Sequence, residues 1–407
     1  MQTLDILPMK RAGSPLDNFL IEKSAQTVGA ADTEAPNVPA VRKKFSRARD
    51  EPEIKFLKKI RTGELVEYDV VKVIGEGVFG IVFEVTREKQ HYAMKVLKHT
   101  LEGDSGLFEK EVAILQNFAE FRHENVLSLV RTHTITDSLP QCSSFAIVTD
   151  LLGYSMHTMK LGSQKKQPSS KMTFSVSDIR IIGKQILSAM SHLEMLNIYH
   201  LDLKPENILF VTKGFAVEEL IGSNFRNQSY RMAVVRKKDL RIQIGDFGSA
   251  RQHLPDTIPE VGTVQVQNYR APEIFLGLPY NMKSDVWSVG CILFEMYTGE
   301  MLFYGSNSFD TESVQFEMMQ RVLQQAPSER MWRMAYEMTS SKVKMTKYGF
   351  KMEQVAHRSN LSPPLRFNIR HGDVPAVMLF KLLYEVFVMD PLLRPSFAAV
   401  SAHQFFQ

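Results

Sequence analysis

The chain is poor in cysteine: among 407 residues only Cys142 and Cys291 carry a thiol. Two cysteines build neither a disulfide framework nor a cysteine-rich metal cluster, which suits a reducing compartment. Long apolar runs are missing as well. No stretch approaches the roughly 18 residues that a membrane-crossing helix needs, so no membrane partner is expected. An excess of one charge is also missing. Lys and Arg number 49 against 45 Asp and Glu, a formal net charge of +4. That balance is small for the length and argues against direct nucleic-acid binding by the whole chain. The opening residues, Met1-Gln2-Thr3-Leu4-Asp5, lack the charged-then-apolar pattern of a secretory leader. An intracellular protein is expected.

The hydrophobic content of 44% is ordinary for a globular chain. The length exceeds what one compact core holds and suggests two lobes plus a tail. Residues 1–60 have no sustained apolar period and read as a disordered basic tail. Within it, Arg42, Lys43, Lys44, Arg47 and Arg49 form a basic cluster. Such a cluster suits a nuclear-import signal or nucleic-acid contact, and equally a solvated flexible stretch. The nucleus is the expected location, with the cytoplasm as the alternative. Residues 65–152 read as strands, one helix, then strands. Residues 153–407 read mainly as helices. Ile179, Ile182, Ile186, Met190 and Leu193 recur at helical spacing. A long insertion separates Asn207 from Asp246 and ends in the alternating run Leu240-Arg241-Ile242-Gln243-Ile244. A second insertion-like region spans about 305–366 and is rich in Met, Lys and Ser. No internal repeat is present.

The densest chemistry lies in HLDLKPEN at 200–207, followed later by Asp246-Phe247-Gly248. Phosphoryl transfer from ATP needs a group to accept a hydroxyl proton, cations to offset phosphate charge, and oxygen ligands for magnesium. Asp202, Lys204, Asn207 and Asp246 supply those parts. Upstream, Gly75, Gly77 and Gly80 form a G-x-G-x-x-G-x-V loop ending at Val82. Glycines there let backbone N–H groups close over phosphates. A dinucleotide-binding fold uses a similar loop but requires a helix directly after it. Here Ile81-Val82-Phe83-Glu84-Val85 continues as a strand. Ala93-Met94-Lys95 matches a strand lysine that reaches the α- and β-phosphates. The helical stretch at 107–118 offers Glu111 as its partner, with Glu109 competing. Leu115, four residues on, shares the Glu111 face.

Ala271-Pro272-Glu273 follows, then Ser284-Asp285-Val286-Trp287-Ser288, which is expected to open a buried helix, and Arg394 looks like the partner of Glu273. With these residues the chain resembles a eukaryotic protein kinase over roughly 65–407. Within that superfamily it resembles the LAMMER (CDC-like) group. HLDLKPENILF, the long insertion, DFGSA at 246–250 and NYRAPE at 268–273 carry the likeness. The group's eponymous motif survives in part as Phe316-Glu317-Met318-Met319-Gln320-Arg321.

The resemblance implies an α+β, bilobal fold with a small β-rich N-lobe at 65–152 and a larger helical C-lobe at 153–407. It implies ATP and Mg2+ as cofactors and a serine/threonine kinase, dual-specificity included. Protein substrates would be its partners, Arg/Ser-rich splicing factors among them. Asp202 would accept the proton, Lys204 would stabilise the moving phosphoryl group, and Asn207 and Asp246 would ligate magnesium. Val82, Ala93 and Leu209 would sandwich the adenine, beside backbone groups of Asp150 and Leu152 and the gatekeeper Thr149. His200, Phe247 and Leu115 would stack in one column. Met318, Met319, Met331 and Met334 read as core. Two departures favour an alternative, a pseudokinase acting as a nucleotide-binding scaffold. Val266 stands where the family has a threonine whose hydroxyl helps hold Asp202 and Lys204. Gln267 replaces a basic residue. Leu201 also stands where most kinases carry arginine, which removes one anchor for a phosphorylated activation loop.

Overall fold

The computed structural model describes residues 58–64, 66–77, 80–98, 104–136, 142–166, 171–223, 229–253, 260–304, 311–339, 343–346, 349–352, 365–370 and 373–407. The basic cluster at 42–49 and most of the expected tail lie outside these residues. The expected tail boundary at 60 runs too far. Strand β1 (Lys59–Arg61) buries Ile60 completely, because an apolar side chain flanked by two charged ones fits an edge strand with one face on the core.

Five more strands complete the first sheet: β2 (Glu67–Glu76), β3 (Gly80–Arg87), β4 (Gln90–Lys98), β5 (Leu129–Thr134) and β6 (Cys142–Asp150). Their order is β1-β2-β3-β4-β6-β5, antiparallel throughout. Short links suffice for antiparallel neighbours, so the chain lays down this sheet almost in sequence order. Ile60, Tyr68, Ile81, Phe83, Val85, Met94, Val96, Ile135, Ala146 and Val148 form its core. At Gly80 an added Cβ would stand 2.6 Å from the Val96 carbonyl oxygen, so only glycine lets β3 start so close to β4. Helix α1 (Asp104–Glu120) lies between β4 and β5 in the chain. Its buried residues Glu111, Ile114, Leu115 and Phe118 follow the i, i+3, i+4, i+7 pattern of one helix face.

The remaining helices are α2 (Met156–Lys166), α3 (Val176–Met195), α4 (Pro272–Phe275), α5 (Lys283–Thr298), α6 (Thr311–Leu323), α7 (Glu329–Met338), α8 (Val374–Val386) and α9 (Phe397–Ser401). The five residues expected on one face of α3 are all buried. Ser175 caps that helix, its hydroxyl accepting from the Asp178 amide at 3.1 Å. Residues 284–297 of α5 are buried on every side, so this helix forms the centre of the helical lobe.

Seven further strands follow among the described residues between 171 and 252. They are β7 (Lys171–Thr173), β8 (Ile198–Tyr199), β9 (Ile208–Phe210), β10 (Ala216–Ser223), β11 (Ser229–Arg236), β12 (Ile242–Ile244) and β13 (Arg251–Gln252). The long insertion is a hairpin, β10–β11, whose second strand runs parallel to β7. The alternating run at 240–244 yields β12 only from Ile242 onward. Strand β12 pairs antiparallel with β9 in the register Ile244↔Ile208, which brings the residue pairs flanking them, Asn207 and Asp246, to the same end. The second insertion contains α6, α7 and the hairpin β14 (Val343–Thr346) and β15 (Gly349–Met352). Met318, Met319, Met331 and Met334 are core residues, as their spacing predicted.

Arg394 and Glu273 make the expected pair. It is bidentate, with both nitrogen–oxygen distances 2.9 Å and both side chains fully buried. Ser284 donates to the same carboxylate at 2.6 Å, and the guanidinium also donates to the Lys283 carbonyl at 2.7 Å. Removing one partner leaves a buried charge without compensation. Arg394→Met is therefore expected to lower unfolding stability by about 3–5 kcal/mol. The double variant Arg394→Met with Glu273→Leu should lose clearly less. Denaturant titration of the single and double variants checks this, and an equal loss in both would contradict it.

Candidate active site

Lys95 sits on β4 opposite Val82 of β3, pointing toward α1. Its Nζ donates to Glu111 Oε1 at 2.8 Å and Oε2 at 3.0 Å. It also donates to Asp246 Oδ1 at 2.8 Å. Glu111 is thus the partner, and Glu109 of the same helix is exposed. Burial alone would lower the Lys95 pKa. The charges of Glu111 and Asp246 outweigh it, so the ammonium stays protonated far above neutral pH. Asp246 shows the mirror effect: burial raises its pKa, and Lys95 brings it net below the usual carboxylate value. Gly248 follows this loop where an added Cβ would meet Lys95 Nζ and Glu111 Oε2 at 3.3 Å, so a side chain there would crowd the ion pair.

Phe247 turns inward beside Asp246. Its ring packs on Phe118 of α1 at 4.7 Å and on His200 at 5.2 Å between centroids. Leu115 is buried on the same helix face. Phe118, three residues beyond Leu115, was not anticipated as the ring's neighbour. The signal was present, since an aromatic at i+3 lies on the same side of a helix.

The catalytic loop gathers its three polar residues. Lys204 Nζ donates to Asp202 Oδ2 at 2.6 Å. Asn207 Nδ2 donates to the Asp202 carbonyl at 2.8 Å and to its Oδ2 at 3.4 Å. The loop is held from below by Asp285, a fully buried carboxylate in the first turn of α5. It accepts from the His200 amide at 2.8 Å and the Leu201 amide at 3.0 Å. Burial raises the Asp285 pKa, and the two amides and the nearby His200 reduce that rise without reversing it. His200 itself bonds through Nε2 to the Gly245 carbonyl at 3.2 Å and through Nδ1 to the Asp202 amide at 3.3 Å, a positioning arrangement. The role of Asp285 was not anticipated either, because nothing in Ser-Asp-Val-Trp states which distant amides its carboxylate will meet.

The residues expected to face a nucleotide lie on or beside β2, β3, β4, β6 and β9. Gly75 lies at the end of β2 opposite Val82, and the Gly77 amide donates to the Gly80 carbonyl at 2.9 Å. Val82, Ala93 and Leu209 are half-buried while their strand neighbours Phe83, Met94, Ile208 and Phe210 are fully buried. This is the alternation of strands with one face on the core and one on open space. Thr149 is buried, Asp150 is exposed at the end of β6, and Leu152 is half-buried just beyond it. Among the described residues no cluster of three or more His, Cys, Asp or Glu is available to hold a metal. The donor set present is one carboxylate, Asp246, and one amide oxygen, Asn207. Such a set fits magnesium, which keeps waters and takes further oxygens from substrate phosphates.

A family model for the protein kinase domain matches residues 68–406. The chain belongs to the protein kinase domain family. It is 28% identical over 354 residues to the dual specificity protein kinase lkh1 of Schizosaccharomyces pombe, covering 83% of this chain and 46% of that protein. It is also 28% identical over 356 residues to the dual specificity protein kinase CLK4 of Homo sapiens, covering 83% of this chain and 66% of that protein. The chain therefore spans less than two thirds of these relatives' lengths. A kinase-domain crystal structure superposes with a TM-score of 0.69 at 24% identity, covering 86% of this chain and 98% of that one. At that identity the likeness establishes the bilobal fold, and the ion-pair geometry above comes from this kinase domain itself.

Asp246→Asn is expected to weaken nucleotide binding much more with magnesium present than without it, because it removes the charge that Asp246 would offer to the metal. Thermal-shift titrations of ATP with and without the metal measure the two. Equal losses in both series would remove Asp246 from the metal site.

Proposed function

We propose that this chain is an ATP- and Mg2+-dependent protein kinase that moves the γ-phosphoryl group to serine and threonine hydroxyls of protein substrates. Tyrosine is included as a second acceptor, after the names of the dual-specificity relatives. One observation carries the proposal: a single ammonium, Lys95, is held at once by Glu111 and Asp246. In this reading Lys95 would be the cation for the phosphates and Asp246 the carboxylate for the metal, two groups that transfer requires together. Asp202 would take the hydroxyl proton as the bond to phosphorus forms. Lys204 would balance charge on the moving group, and Asn207 and Asp246 would supply oxygens to the metal. Bound magnesium would neutralise the phosphates. Gly75, Gly77 and Gly80 would cover them, with Val82, Ala93 and Leu209 against the adenine and Asp150 and Leu152 at its edge.

The finer substrate class is Arg/Ser-rich protein, with splicing factors as the example from the resemblance. Basic peptides are recognised by unpaired carboxylates near the acceptor site. Two carboxylates near the catalytic loop have neighbours on helix α2, an imidazole for Glu206 and an ammonium for Glu295. His157 Nδ1 lies 3.2 Å from Glu206, and Lys160 Nζ lies 2.6 Å from Glu295. Tyr269 also donates to Glu295 at 2.6 Å. We therefore place Arg/Ser-rich proteins among the substrates without a strong demand for arginine. The second reading, a nucleotide-binding pseudokinase, draws on Val266, which offers no hydroxyl to the catalytic loop.

Transfer of radiolabelled phosphate by the purified chain separates the readings. An Arg/Ser-rich peptide and a neutral serine peptide are both expected to be phosphorylated, with kcat/KM within about tenfold, or about 1.4 kcal/mol, of each other. Lys95→Met should abolish both reactions while the fold persists, since Glu111, whose pKa is already raised by burial, can take up a proton. Binding of ATP with no transfer to any peptide would favour the scaffold. Nuclear localisation is proposed on the cluster at 42–49. Alanine at Arg42, Lys43 and Lys44 is expected to shift a fluorescent fusion toward the cytoplasm, and an unchanged nuclear signal would refute it.

A further inference from the structure

Gln265 precedes the valine that lacks the family's hydroxyl. It is 7% exposed and holds a left-handed backbone, φ 62°. A side-chain-bearing residue stays in that region only when its surroundings hold it there. Leu201 (φ 59°) and Asp246 (φ 63°) share the conformation, and both belong to the candidate active site. The Gln265 amide donates to the Leu201 carbonyl at 3.0 Å, one residue before Asp202. Its side chain reaches the other way. Nε2 donates to the Ser284 carbonyl at 3.0 Å and to Ser288 Oγ at 3.0 Å, while Oε1 accepts from the Ala271 amide at 2.9 Å. Ser284 and Ser288 flank Asp285 on α5, the carboxylate that carries the His200 and Leu201 amides. The Gln265 side-chain nitrogen is therefore directed at the α5 frame beneath Asp202, and its oxygen at the segment before α4.

We infer that Gln265 is a positioning residue that sets the catalytic loop in place of the absent hydroxyl at 266. The inference rests on the kinase reading. Its backbone grips the loop at Leu201, and its side chain anchors that grip to α5 and to the segment before α4. Val266 is 40% exposed and apolar, so it contributes no bond of this kind. The backbone before Asp202 is then set from behind through Leu201 and Asp285, while Lys204 and Asn207 hold the Asp202 carboxylate.

The test uses the full chain and Gln265→Met, which keeps a flexible stem of similar size and loses all three side-chain bonds. Expected is a fall in kcat of about tenfold or more, with KM for ATP and the magnesium-ATP thermal shift within about twofold of wild type. Threonine at 266 should raise kcat at least fivefold more in the Gln265→Met background than in the wild-type chain, because the two groups then serve one task. Three results overturn the inference. In the first, kcat of Gln265→Met stays within twofold of wild type. In the second, its loss of kcat is matched by loss of nucleotide binding. In the third, the threonine gives the same gain in both backgrounds. A wild-type chain that transfers nothing overturns the kinase reading and this role with it, whereas an active wild type beside an unimpaired variant overturns this role alone.

Discussion

The Lys95 ammonium is the constraint on which the arrangement turns. It comes from β4, meets Glu111 from α1 and meets Asp246 from the loop after β12. Three elements far apart in the chain converge on one buried charge. Burial is tolerated because two carboxylates share the ammonium, and each of them would be costly to bury alone. The position of α1 is thereby tied to the conformation of the Asp246 loop. Phe247 repeats the link in apolar form, with its ring against Phe118 of α1 and His200 of the catalytic loop. A shift of α1 would break an ion pair and an aromatic contact together, so both hold the same state.

The helical lobe uses buried charge in a second way. Asp285, Glu273 and Arg394 are all buried around α5, and each is saturated by donors or acceptors. Charged groups in such places act as orienting pins, since their hydrogen bonds are directional and leaving one unmade is expensive. Asp285 pins the catalytic loop, Arg394 pins the segment entering α4, and Gln265 lies between them. The small lobe leans more on sheet pairing and an apolar core, with the Lys95–Glu111 pair tying β4 to α1.

Much of the candidate site was legible because its residues are close in sequence or fixed by repeating geometry. Asp202, Lys204 and Asn207 share one loop, and that loop returns them to hydrogen-bonding distance. The preference for Glu111 over Glu109 followed from the helix face it shares with Leu115, and burial separates the two in the same way. Other features had no local signal. Strand β11 carries the continuous apolar run Met232-Ala233-Val234-Val235, yet its pairing with β7 joins residues some sixty positions apart and depends on where the helical lobe places β7. Strand β1 was assigned to the tail because a three-residue strand carries almost no periodicity, and only Ile60 in the core reveals it.

By itself the sequence determined which chemical groups exist and which neighbours share a loop or a helix face. That was enough for a bilobal kinase fold and for naming the polar groups that the structure gathers at the candidate site. The tertiary structure decided which distant groups meet: Lys95 with Asp246, Phe247 with Phe118, Asp285 with the His200 and Leu201 amides, and Gln265 with α5. The reason is physical. Local order follows from bond geometry over a few residues, whereas these contacts depend on where whole elements pack, and a buried polar group takes whichever partner the packing brings within reach.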